Sequence, residues 1–449
     1  GNDVLYGLGG DDTLDAGSGD DKLYGGEGND ILIHSGSGAQ LFDGGEGIDT
    51  YKKSAVEPGL NLNIEVNLAT GYTGSVTDRD HLLQDTVANI ENVDFSLVDW
   101  DLSLIGDASD NILTTGSGDD TLNGGDGDDT LDGGDGDDTL DGGDGDDTLY
   151  TGTGDDHLLG QGGNDILVMT GSGSQIFDGG EGADTLSINV LNYVPPIPNF
   201  VYEVDLVRGI SGAKGYTELR DTLISIENID YKGSFSSELT GNAEDNKIYG
   251  GDGADILDGG AGTNSLTGGL GDDTYKYNYS GSDTIFDIGG RDTLILTTRD
   301  TDGNRYFGDT YVENGTLVFG SHQDANNTLR ITDALGADSR IENVTFHADD
   351  ESYADYTLRL AGSNDQLTGD NILYIGTKEN DTIVMNNGFN EAHAGDGDDI
   401  IIIGDGGSWV EGDLGDDKIT AGAGIDKFHY RQGEGNDTII GFEDGVDQL

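Results

Sequence analysis

From residue 115 to residue 168, large apolar residues stand at every ninth position: Leu122, Leu131, Leu140, Leu149, Leu158 and Leu167. Two residues before each lies an aspartate, giving the unbroken series Asp120, Asp129, Asp138, Asp147, Asp156 and Asp165. The unit reads G-G-x-G-x-D-x-U-x, with U a large apolar residue, and Gly124-Gly125-Asp126-Gly127-Asp128-Asp129-Thr130-Leu131-Asp132 is its most regular copy. The x-U-x triplet has the period-two alternation of a short strand with one buried face. The Gly/Asp stretch before it is turn chemistry, since glycine adopts the positive φ angles that residues with a Cβ resist. One turn and one strand make half a coil, so two units, eighteen residues, return the chain to its starting point one layer higher. The pattern predicts an all-β chain of stacked coils whose turns form two columns with the leucines pointing between them. Helical periodicity is nearly absent.

Elsewhere the same frame comes and goes. It defines repeat tracts at 1–51, 106–187, 241–295 and 362–449, interrupted by β-rich inserts at 52–105 and 188–240 and a β-rich connecting module at 296–361. The first tract carries Asp3, Asp12, Asp21 and Asp30 at sixth positions, then a degenerate unit from His34 to Phe42, then Asp49. In the second, Asp184 follows a similar degenerate unit from Met169 to Phe177. The third places Asn246, Asp255, Asn264 and Asp273 in register and, after a one-residue shift, Asp283 and Asp292. Asp381, Asp399, Asp417, Asp426, Asp437 and Asp447 belong to the fourth. The first two tracts and their inserts are a duplication. Gly-Asn-Asp-Ile-Leu at 28–32 recurs at 163–167, Asp-Gly-Gly-Glu-Gly at 43–47 recurs at 178–182, and Ile-Glu-Asn at 90–92 recurs at 226–228. A third Ile-Glu-Asn stands at 341–343. Alternating strands are expected in the inserts at Ile64, Val66 and Leu68 and at Tyr202, Val204 and Leu206, capping or continuing the roll by apolar stacking. The connecting module alternates at Thr316-Leu317-Val318-Phe319 and Thr328-Leu329-Arg330-Ile331. Both termini cut a repeat, which predicts a piece of a longer protein.

Charge turns this pattern into chemistry. Twenty Lys and Arg face 89 Asp and Glu, a net charge of -69, and 78 residues are glycine. Low hydrophobicity with high net charge is the composition of a disordered chain, yet a solvated acidic tail needs no nine-residue period. A column of carboxylates one strand spacing apart repels itself unless a counter-ion lies within it. Turn carbonyls between the carboxylates complete an all-oxygen cage, which suits Ca²⁺, with its six to eight oxygen ligands in flexible geometry, better than the strict octahedron of Mg²⁺. Multiple calcium ions are therefore the expected cofactors, held by the sixth-position aspartates named above. The two asparagines, lacking charge, are expected to bind more weakly. Without calcium the repeats are expected to be largely unfolded. Nucleic acid and anionic membranes are disfavoured as partners because both repel this charge. Cysteine is absent, which excludes disulfides and thiolate metal sites, and no apolar stretch is long enough to insert in a membrane as a helix.

The nonapeptide resembles the repeat of the RTX family of calcium-binding proteins, for which this unit is the known signature. The resemblance implies a parallel β-roll, export from Gram-negative bacteria by type I secretion, and folding in the extracellular medium where calcium is plentiful.

Catalysis finds little support. Pairs such as Asp119-Asp120 and Asp146-Asp147 could be drawn as general acid and base, but the repeat accounts for them. The histidines at 34, 81, 157, 322, 347, 393 and 429 form no H-E-x-x-H, and the pattern places His157 and His429 facing solvent. No G-x-S-x-G elbow occurs. G-x-G-x-x-G matches recur with the repeat, lack a following helix and are ringed by aspartate, so they do not signal phosphate binding. Tyrosines at 275, 277 and 279 and at 353 and 356 alternate as residues packed on a sheet do. The expected function is that of an extracellular calcium-stabilised scaffold in a large secreted adhesin or surface-layer protein, with cell-surface or self-assembly partners. The alternative is the non-catalytic calcium module of a secreted protease, lipase, or polysaccharide lyase or epimerase, its catalytic domain outside this segment. A catalytic motif upstream of Gly1 would decide for the second.

Overall fold

The computed structural model describes residues 1–54, 63–75, 85–189, 200–216, 220–278, 280–297, 310–313, 316–320, 328–332, 341–347, 353–360, 372–377, 380–431 and 433–449. Among them are forty-four strands and no helix, hence none long and apolar enough to cross a membrane. Residues 1–199 with 208–232 form one compact unit, and residues 200–207 with 233–449 another.

The first unit shows how an eighteen-residue coil is laid down. Strand Thr121–Asp126 pairs in parallel with Thr139–Asp144, and that with His157–Gly162, in the register Thr121 to Thr139 to His157. The strands between them in sequence, Thr130–Asp132, Thr148–Tyr150 and Ile166–Met169, pair with one another on a second wall. Successive nonapeptides thus alternate walls, and all six leucines of the array, enclosed between the walls, are 0 % exposed. Burying a leucine stabilises by about 1.5–3 kcal/mol, so the regular spacing supplies an apolar spine.

The two walls are unequal, which the nonapeptide does not foretell. Gly124–Asp132 and Gly133–Asp141 are identical in sequence. Yet the strand on the first wall runs on through Gly124 and Gly125 to Asp126, whereas on the second it stops at Asp132 and the glycine turn meets its neighbours only at the bridges Ser117 to Asp135 and Asp135 to Thr153. The second-position glycines differ accordingly, with φ of 115° and 111° at Gly125 and Gly143 against 84° and 76° at Gly134 and Gly152. Strand extent is therefore set by the place in the stack.

The degenerate units add one residue without breaking the ladder, so Lys22 pairs with Leu41 and His157 with Ile176. Nor does the first insert break it. Leu41–Glu46 pairs in parallel with Asp85–Ala88, Thr50–Lys53 with Asn92–Asp94, and Ile64–Asn67 with Leu102–Ile105. The surplus chain leaves as an antiparallel hairpin of Ile64–Asn67 with Tyr72–Ser75, which then pairs with Asp85–Ala88. Phe42, Tyr51 and Phe95 fill the interior there, with centroid separations of 4.7 Å and 5.3 Å. After the second tract the same connections recur: Ile176–Glu181 with Arg220–Ile224, and Thr185–Ile188 with Asn228–Tyr231.

In the second unit, Ser237–Thr240, Ile256–Asp258 and Thr274–Tyr277 build one wall, and Lys247–Tyr249, Gly262–Thr267 and Gly281–Phe286 the other. Tyr275 and Tyr277 are buried. Tyr279 lies outside the described residues, and Tyr353 and Tyr356 fall on the strand Tyr353–Leu360. Antiparallel pairing prevails among Thr310–Glu313, Thr316–Gly320 and Thr328–Ile331, and between Ile341–His347 and Tyr353–Leu360. Parallel coils resume at Ile372–Thr377, around a core that includes Ile383, Ala392, Ile401, Val410, Ile419 and Phe428.

Candidate metal centres

The sixth-position carboxylate has a defined seat. A Cβ placed on Gly124 would overlap Asp129 Oδ2 and meet the carbonyl oxygen of Gly142, one coil on, at 2.6 Å. The first glycine of the unit is thus absent of side chain because an aspartate oxygen and a backbone carbonyl from the next coil converge against it. Gly25 with Asp30 and Gly44, and Gly160 with Asp165 and Gly179, repeat the arrangement.

Each such aspartate divides its two oxygens. Oδ1 accepts the backbone N–H of the aspartate one coil earlier: Asp120 to Asp138 at 2.8 Å, Asp129 to Asp147 at 2.7 Å, Asp138 to Asp156 at 3.0 Å and Asp147 to Asp165 at 2.9 Å. The exposed fifth-position residues form a second ladder of opposite sense, with the N–H of Asp128 donating back to Asp110 Oδ1 and that of Asp146 to Asp128 Oδ1. Oδ2 is left over. It is buried without a hydrogen-bond partner in Asp12, Asp21, Asp30, Asp49, Asp120, Asp129, Asp138, Asp147, Asp156, Asp165, Asp184, Asp255, Asp273, Asp399 and Asp417.

A buried carboxylate oxygen without a partner costs several kcal/mol unless a cation meets it. Burial, followed by repulsion from Asp120 and Asp156, pushes the Asp138 carboxyl up to about 8. Burial likewise raises Asp399 to about 8, Asp147 and Asp273 to about 7, and Asp120, Asp129, Asp156, Asp165, Asp255, Asp283 and Asp417 to about 6. Asp292, pressed also by Asp287, rises to about 8. Two carboxylate columns with carbonyls between them therefore fit a hard, oxygen-seeking divalent cation.

Not every sixth-position aspartate is seated this way. Asp3 is exposed at the first coil. Asp283 Oδ1 accepts from the Asn264 side chain at 2.7 Å. Asp381 Oδ2 accepts from Thr377 N at 2.6 Å, Asp426 Oδ2 from Gly422 N at 3.0 Å, and Asp447 Oδ2 from Glu443 N at 2.8 Å. Asp437 keeps the ladder bond, its Oδ1 accepting from Asp417 N at 3.1 Å, but its Oδ2 is not among the buried oxygens named above. Asn246 and Asn264 keep the ladder, Asn264 Oδ1 accepting from Asn246 N at 2.9 Å.

Other residues occupy ladder positions that the nine-residue count does not reach. Gln175 Oε1 accepts from Asp156 N at 2.8 Å, and Asp221 Oδ1 from Gln175 N at 3.0 Å. Asp85 Oδ1 takes the N–H of Gln40 at 2.8 Å. Glu91 and Glu227, from the repeated Ile-Glu-Asn, take the N–H groups of Asp49 and Asp184. That recurrence was the one available signal, since the intervening loops hide the register.

The histidines are scattered. His34 is buried beside Tyr51 and Asp85, each 3.0 Å from its Nδ1. His157 is half-buried and His429 exposed. His81 and His322 lie outside the described residues, and His347 falls on the strand Ile341–His347. His393 lies between Glu391 and Glu411 at 3.3 Å each. Burial acts to lower its pKa, but the two glutamates together hold it up at about 10, so it reads as the cation of an ion-pair cluster.

No curated protein matches the chain. The family profile of the RTX calcium-binding nonapeptide repeat matches residues 1–32, 105–140, 141–168, 169–187, 240–275 and 393–428. Matches in both compact units, on parallel coils whose buried aspartates suit a calcium ion, identify these stretches of the chain as RTX calcium-binding nonapeptide repeats.

Proposed function

We propose that the chain is an extracellular, calcium-loaded structural segment that folds on binding Ca²⁺ after secretion, as part of a large adhesin or surface-layer protein. The sixth-position aspartates are its calcium ligands, and the tracts at 1–51, 106–187, 241–295 and 362–449 are the loaded regions, joined by β-rich stretches that carry the ladder forward. The observation that supports this best is the run of buried Oδ2 atoms from Asp120 to Asp184, each without a hydrogen-bond partner and, at Asp129, Asp138, Asp147, Asp165 and Asp184, set against a glycine. A protein with net charge -69 reaches such a state only with counter-ions inside it. Circular dichroism in chelator should show little β signal, with a cooperative gain as calcium approaches the millimolar range of many extracellular modules. An identical spectrum with and without calcium would defeat the reading.

A further inference from the structure

Each of the first two tracts ends where the nonapeptide ends, and its last seated aspartate, Asp49 or Asp184, lies below a coil without a sixth-position aspartate. Both carboxylates are 0 % exposed and both leave Oδ2 without a hydrogen-bond partner. In an uninterrupted coil this oxygen faces the carbonyl of the next coil's first glycine, as Asp30 faces Gly44 and Asp165 faces Gly179. Above Asp49 no such glycine exists. A Cβ on Gly44 would instead overlap both Asp49 Oδ2 and the carbonyl oxygen of Asn89, and one on Gly179 would meet Asp184 Oδ2 at 2.5 Å and overlap the carbonyl of Ser225.

Asn89 and Ser225 deliver those carbonyls from φ of 49° and 48°. Residues with a Cβ hold that conformation at a cost, and it persists where something in the surroundings requires it. Two residues on, Glu91 Oε2 accepts the N–H of Asp49 at 2.8 Å and Glu227 Oε2 that of Asp184 at 2.9 Å, the bond a sixth-position aspartate makes elsewhere. The turn is shorter, with one residue between carbonyl and carboxylate donors in place of the repeat's four. A glutamate's extra methylene makes up the reach.

Resting on the calcium reading above, we propose that the inserts complete one further calcium site each. Asn89 O and Glu91 close the site opened by Asp49, and Ser225 O and Glu227 that opened by Asp184. Ile-Glu-Asn is then the segment that replaces a whole nonapeptide as a ligand donor, outside the repeat that names the family.

Substituting Glu91→Gln and Glu227→Gln together in the full chain tests this, because glutamine keeps an oxygen for the N–H of Asp49 and Asp184 while losing the charge. Calcium equivalents are counted by isothermal titration calorimetry, with Asp129→Asn as the comparator for a site inside the array. The double variant should bind fewer equivalents than the unmodified chain, one lost per glutamate, while its circular dichroism at saturating calcium stays unchanged. Undiminished stoichiometry and affinity would leave the glutamates as neutral caps and overturn the assignment. Failure to fold at any calcium concentration would equally overturn it, by showing a role wider than one ion each. If the unmodified chain bound no calcium, the calcium reading itself would fall, a result separable from the first.

Discussion

Asp129 and Gly124 act as one device, and neither makes sense alone. The carboxylate leans on the glycine's bare Cα with an oxygen that no N–H or O–H satisfies. Gly124→Ala should therefore abolish the seat even though its backbone lies outside the positive-φ glycines. The expected result is loss of calcium near that coil comparable to Asp129→Ala, read by calorimetry; binding as in the parent chain would refute it. Protons compete for the same oxygens. Because the folded-state pKa values of these carboxyls lie at about 6 to 8, above the unfolded value of 3.8, the metal-free fold is favoured at acid pH and loses that contribution as pH rises through this window. Calcium must displace the protons, so its affinity should fall as pH is lowered from about 8 to about 6. From coils already folded without metal, proton release on adding calcium should be larger near pH 6.5 than near pH 8.5, and equal release at both would contradict the buried-carboxylate account.

Two stacked coils are the smallest element in which this chemistry works, since every seat draws on two layers. The apolar spine was legible from Leu122 to Leu167 because one large residue in nine, unfailingly placed, leaves the backbone a single way to close. Leu140→Ala should cost about 2–5 kcal/mol, as cavities in packed cores do. In thermal melts at saturating calcium the transition should fall by several degrees, and an unmoved melt would mean that the spine carries little of the stability. Other features were not legible, for a physical reason. Asp85, Glu91, Asp221 and Glu227 reach the ladder after hairpin excursions, and the loop closure that brings them into register belongs to tertiary packing. Sequence spacing shows it only through the duplication. Identical nonapeptides at Gly124 and Gly133 likewise part company in strand length, which no local rule could announce.

At the scale of the molecule the dominant quantity is charge. Eighty-nine acidic residues against twenty basic ones make the metal-free chain an expanded polyanion. Raising salt should shrink its hydrodynamic radius by screening, yet leave it without β structure, because screening ions do not enter a buried oxygen cage. Calcium should do both. Recovery of the β spectrum in about 1 M sodium chloride without calcium would show screening, not ligation, to be the requirement. A further consequence follows from the pairing of Thr121 with Thr139 and of Thr139 with His157. Each coil presents to the layer above the same donors and acceptors that it offers the layer below, so the array has no preferred length. Excising residues 124–141 would join position nine of one unit to position one of another and leave every remaining bond with a partner of the same kind. A gene carrying such repeats can lengthen or shorten its product in whole coils by unequal recombination, each product folding as the parent did, so the count of coils is free to drift while the layer itself is held constant.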